Sequence, residues 1–87
     1  MSKAQMGIRL ERTPSGEQPR YYEVSLATDL FGAMVLQRTW GGVGKASGRS
    51  HLESYPSMAA ARRAASAWLR RKRRRGYRMA TLDKPTT

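Results

Sequence analysis

An α+β fold, in which one long basic α-helix packs across an antiparallel β-sheet, is what this sequence of 87 residues predicts. Three observations carry that expectation. Two segments before residue 57 alternate apolar and polar side chains with a period of two, clusters containing glycine and proline separate the segments, and beyond Ser57 apolar residues recur at helical spacing. A chain this short makes one domain and buries only roughly 60% of the surface its unfolded form exposes, so the core has to be compact. Residues 1–80 are expected to form that single domain and residues 81–87 a flexible C-terminal tail without periodicity.

Taken in order, Gly7 to Thr13 reads as a short strand closed by the turn cluster Thr13-Pro14-Ser15-Gly16. From Tyr21 to Ala27, residues Tyr22, Val24 and Leu26 fall on one side and Tyr21, Glu23, Ser25 and Ala27 on the other, the pattern of a half-buried strand. Thr28 to Gly32 connects it to a strand over Ala33 to Trp40, in which Met34, Leu36, Arg38 and Trp40 share a face. Gly41, Gly42 and Gly44 interrupt that strand, and Ser47-Gly48 opens another from about Arg49 to Glu53. Ser57, preceded by Pro56, is placed to cap a helix beginning at about Met58. Ala61, Ala64, Ala65, Trp68 and Leu69 make one apolar stripe whose small residues permit close approach to the sheet. Gly76 is positioned to end the helix in a left-handed cap, and Tyr77 and Met79 start a last short strand.

Charge is distributed unevenly. The formal net charge is +11, yet residues 1–57 carry seven basic and five acidic side chains, whereas residues 58–78 carry nine basic and none acidic. Like charges at helical spacing repel one another, and a solubilising surface would mix both signs. A concentrated positive field of this kind suits a polyanion. Arg70, Arg71, Lys72, Arg73, Arg74, Arg75 and Arg78 are accordingly the candidate phosphate-binding residues. Charge alone does not select DNA over RNA.

The segment Trp40-Gly41-Gly42-Val43-Gly44 sets an indole at the end of a strand beside glycines that let a ligand approach the backbone. Tryptophan in a small domain is most often core, and Trp68 on the helix stripe fills that role, while Trp40 is able to stack on a sugar or base. The residues by themselves leave Trp40 open between the two.

The order of these elements resembles the WGR domain, named for a Trp-Gly-Arg signature and found in DNA-dependent poly(ADP-ribose) polymerases and in small bacterial proteins. The resemblance runs from Tyr21-Tyr22-Glu23-Val24 through Leu36-Gln37-Arg38-Thr39-Trp40-Gly41-Gly42-Val43-Gly44, then to Ser57 opening an alanine-rich helix and Leu69 to Lys72 leading into Gly76-Tyr77, about 57 of the 87 residues. It implies an antiparallel sheet crossed by one helix, and DNA binding, in the polymerases at strand breaks, where the tryptophan packs on a sugar near a 5′ end. Carried onto this chain, Trp40 is the stacking residue, Lys72 the basic position near the helix end and Arg38 a phosphate neighbour on the same strand face. Gly42 stands where the family has its signature arginine, which leaves Lys45 and Arg49 as candidate substitutes.

No catalytic chemistry is apparent. His51 is the only histidine, there is no cysteine, and Glu11, Glu17, Glu23, Asp29, Glu53 and Asp83 are too dispersed for a metal site. The Gly44-Lys45 segment lacks the pattern of a phosphate loop. No cofactor or metal is expected, nor an enzyme. With no signal-like segment and no apolar run approaching the roughly 18 residues of a membrane span, the chain is read as soluble and cytoplasmic, nucleoid-associated if it binds DNA. The expected function is a non-catalytic, sequence-independent DNA-binding module with strand breaks or ends as its targets. The competing readings are a protein-interaction module whose basic helix docks an acidic partner, and an RNA binder.

Overall fold

The computed structural model describes residues 3–46 and 48–83. Five strands, β1 (Lys3–Arg12), β2 (Arg20–Thr28), β3 (Met34–Gly42), β4 (Gly48–Tyr55) and β5 (Arg78–Asp83), form one sheet in the order β4-β3-β2-β1-β5, with every pairing antiparallel. A single helix, α1 (Met58–Arg74), links β4 to β5 and contacts β2, β3 and β4. The fold is therefore α+β, as the alternation and the helical stripe require.

The alternating segment over β2 is the centre of the sheet. Tyr22, Val24 and Leu26 are buried, and across the β2–β3 ladder they face Trp40, Arg38 and Leu36. Together with Leu10, Leu36 and Tyr77 they form the core on which the helix rests. Ala61 and Ala65, at 0% and 1% exposure, are the contact points of α1, and Ala64, Trp68 and Leu69 pack around them. Alanines here keep the helix close to the sheet while longer neighbours fill the flanks.

The helix ends are built as the sequence indicates. Ser57 is in extended conformation and its Oγ accepts from the Ala60 N–H at 3.1 Å. At the other end, Gly76 has φ +98°, its N–H donates to the Arg73 carbonyl, and the Tyr77 N–H donates to the Lys72 carbonyl. This paired closure satisfies two carbonyls of the last turn and turns the chain back so that Tyr77 enters the core.

Strand extents differ from the sequence reading. β1 begins at Lys3 rather than Gly7, β4 continues to Tyr55, and β5 runs to Asp83, so Thr81 to Asp83 belong to a strand and not to the tail. Residues 84–87 of that expected tail, and Ser47 at the expected opening of β4, lie outside the described residues. β4 and β5 are the edge strands, and in β4 every side chain before Tyr55 is exposed. Backbone pairing with one neighbour holds such a strand without any alternation in its sequence.

On the face away from the helix, Arg9 bridges Glu11 at 2.9 Å and Glu23 at 2.8 Å, and its guanidinium lies 4.5 Å from the Tyr21 ring centroid. Tyr21 extends over the cross-strand pair Gly41 and Gly48. A Cβ on Gly41 would come within 3.3 Å of the ring, and one on Gly48 would collide with the hydroxyl. These glycines thus make room for an aromatic cover on the open face.

Gly76→Ala should cost about 1–2 kcal/mol in urea denaturation, because a side chain is forced into left-handed backbone. The space is open, with Arg12 Nε the nearest atom at 3.7 Å, so the loss reports conformation and not a clash. A variant as stable as the parent would show that the cap does not form.

Candidate nucleic-acid interface

Trp40 lies near the end of β3, with Tyr22 of β2 on one side and Arg49 of β4 on the other. It is half-buried. One part of the indole packs towards the core, its centroid 6.4 Å from that of Tyr22 at an interplanar angle of 29°. The rest lines a shallow depression of about 300 Å³ with Arg20, Gly41, Gly48 and Arg49. The two roles left open by the sequence are both present in one side chain.

Tyr22 ties the indole to the helix. Its ring is 1% exposed, meets Tyr77 edge-on at 6.4 Å, and has the Lys72 ammonium 4.8 Å from its centroid. Lys72 also stands 5.8 Å from the Tyr77 ring. The helix closure at Gly76 brings Lys72 and Tyr77 to this point together, since the Tyr77 N–H is bonded to the Lys72 carbonyl.

Trp68 collects two further cations. The Arg38 guanidinium lies 3.9 Å from its ring centroid and 5.6 Å from that of Trp40, and Arg71 lies 4.7 Å from Trp68. Such contacts are worth about 0.5–1 kcal/mol each when exposed and more when desolvated. Arg38 is thus held between the two indoles on the helix side of the sheet. Its Nε and the Tyr22 hydroxyl are buried without a hydrogen-bond partner among the described residues.

Burial lowers the Lys72 ammonium below its ordinary value, and the nearby charges of Arg75, Arg38, Arg20 and Arg71 lower it further. Burial raises the Tyr22 phenol, against the pull of Arg38 and Arg71. Among the described residues, the salt bridges are those of Arg9 on the opposite face, so no carboxylate is ion-paired with a cation of this cluster; Glu53, the carboxylate on the same face, lies across from Leu36 on the edge strand. A group of cations without ion-paired carboxylates around an indole sets up a local field that attracts negative charge.

The candidate residues do not all gather here. Trp40, Arg38, Arg71 and Lys72 are brought together, Arg49 joins them across the depression, and Arg75 at the helix C-cap acts on Lys72. Lys45 sits in the hairpin turn with its side chain over Gly42, where an added Cβ would come within 2.9 Å of Lys45 Cγ. Arg70 lines a different surface with Arg62, Arg63 and Ser66. Arg73 and Arg78 line a third, with Gly76, Tyr77 and Met79. Arg74 is exposed and, two residues from Lys72, points about 200° away around the helix axis. Arg20 was not among the candidates. It precedes Tyr22 by two residues and so shares its face, which was readable from the alternation, but its approach to Trp40 depends on pairing with Gly42.

The family model of the WGR domain matches residues 6–84. The chain belongs to the WGR domain family. A WGR domain is a non-catalytic, nucleic-acid-binding module in proteins resembling the poly(ADP-ribose) polymerases. The chain is also 38% identical over 65 residues, 75% of its length, to the uncharacterized protein y4dW of Sinorhizobium fredii (strain NBRC 101917 / NGR234). That match covers 31% of the relative, so the chain spans only about a third of the length of the relative it matches. Among the described residues there is no cluster of three or more metal-ligating side chains, and no helix is long and apolar enough to cross a membrane.

Self-repulsion within this WGR domain should make its thermal stability rise with ionic strength. Salt shortens the Debye length from about 30 Å at 0.01 M to about 8 Å at 0.15 M, and so screens like charges within the fold. Thermal denaturation across that range should show an increasing Tm. A Tm that falls with salt would mean that attractive pairs dominate instead.

Proposed function

We propose that this WGR domain is a non-catalytic DNA-binding module. It holds the phosphate backbone with Arg20, Arg49, Arg71, Lys72 and Arg75 and lays the exposed part of Trp40 on a sugar or base. The observation that carries the reading is the uncompensated cationic cluster surrounding a half-buried indole. Phosphates would relieve the mutual repulsion of these cations, and the release of condensed counterions would drive association. Recognition of this kind ignores sequence, because the phosphates and sugars of the backbone and the π-faces of the bases are common to all sequences.

Two features bear on strand breaks. An indole at the rim of a depression has access to a terminal or unstacked nucleotide more readily than to one inside a duplex. Gly42 lacks the family's signature arginine, but Arg20 is its direct cross-strand partner and supplies a guanidinium on the same face. Both support extending the reading to a preference for ends or nicks, with Arg20 acting in place of that arginine.

The double variant Arg71→Gln, Arg75→Gln should weaken duplex binding and reduce the slope of log K against log salt by about 0.9 for each phosphate contact removed. Fluorescence polarisation at several salt concentrations measures both, and an unchanged slope would remove these residues from the interface. Trp40→Ala should weaken binding to nicked or blunt-ended DNA by roughly 5- to 150-fold, the equivalent of about 1–3 kcal/mol of stacking. Closed circular DNA should be affected less. Equal losses on broken and closed DNA would make the indole a structural residue, and retention of RNA alone would redirect the reading to RNA.

A further inference from the structure

The basic residues of α1 line more than one surface, and the site around Trp40 uses only one. Lys72 faces the sheet over Tyr22, with Arg71 beside it over Trp68. Arg62, Arg63 and Arg70, with Ser66, line a separate shallow surface of about 330 Å³. All four are exposed. Arg70 is two residues from Lys72, which separates them by about 200° around the axis of a helix about 10–12 Å across with its side chains. DNA has a persistence length of about 150 base pairs, so a duplex segment seated at Trp40 does not curl around the helix to reach Arg70.

We infer that this outer face binds a second nucleic-acid segment, so that one domain bridges two duplexes. The inference rests on the DNA-binding reading for its first site and adds a second site and a bridging activity. Arg62 and Arg70 lie eight residues apart, about 12 Å along the helix, which is long enough to reach separate phosphates of one strand, since these recur about every 3.4 Å of duplex axis. No carboxylate lies within α1 to satisfy these guanidinium groups, and the salt bridges among the described residues are on the far side of the sheet. The chemistry of the face favours nucleic acid over protein. Protein interfaces draw their energy from a few buried aromatic or aliphatic anchors, and this surface is lined by three arginines and a serine without one. It offers forked donors suited to phosphate oxygens and nothing that would read a sequence.

Bridging is tested by saturating a bead-bound short duplex with the protein, washing, and offering a second, fluorescent duplex. The parent should capture it. The variant Arg62→Gln, Arg63→Gln, Arg70→Gln should retain affinity for the first duplex within about threefold while capture falls about tenfold or more, since only outer phosphate contacts are removed. Parallel loss of both would overturn the inference in favour of one continuous surface. Undiminished capture by the variant would overturn it in favour of bridging by self-association, and absence of capture by a parent that holds the first duplex would overturn it outright. Capture of a fluorescent polyglutamate in preference to the duplex would assign the face to an acidic protein. Failure of the parent to bind the first duplex would instead defeat the DNA-binding reading, and bridging with it.

Discussion

The buried ring of Tyr22 is the contact on which the rest of the molecule is organised. It is the point where the central strand, the indole of β3, the phenol that precedes β5 and the last turn of the helix meet. With Tyr77, the ring supplies aromatic area to a core whose other buried residues are leucine, valine and alanine. It also positions charge, because Lys72 reaches the surface by crossing the aromatic faces of Tyr22 and Tyr77. Packing and electrostatics are therefore coupled, and the same contact that docks the helix sets an ammonium within reach of Trp40's neighbours.

That coupling explains why the cations are tolerated. Arg38 and Arg71 lie over Trp68, and Lys72 over two tyrosines, so part of the cost of crowding positive charge is offset by aromatic faces rather than by carboxylates. Aromatic compensation leaves the net charge intact. Carboxylates are used elsewhere. Glu11 and Glu23 bind Arg9 across the opposite face of the sheet, where Tyr21 covers Gly41 and Gly48. The two faces thus differ in kind: on one the cation Arg9 is held by salt bridges, and on the other the cations around Trp40 and Trp68 are held against aromatic rings without one.

The alternation of β2, the stripe of α1, its cap at Ser57 and its close at Gly76 were all legible, because each is a local signal that burial or backbone conformation imposes on neighbouring residues. Edge strands were less so. β4 is exposed along nearly its whole length, and β5 continues past residue 80 with hydrogen bonds to β1 that leave no mark on side-chain pattern. Trp40, Arg38, Arg71 and Lys72 could be picked out by type and position. Arg20 could not, since its relation to Trp40 runs through the register of two strands and not through sequence distance.

From its sequence alone this protein is specified as a small α+β domain with a helix carrying a large excess of positive charge. Periodicity and composition determine those properties without knowledge of any distant contact. Only the tertiary structure decided which of the basic residues stand beside Trp40, and that Trp40 is shared between core and surface. Both depend on strand register and on the path of the helix across the sheet, which are settled by packing between residues far apart in the chain.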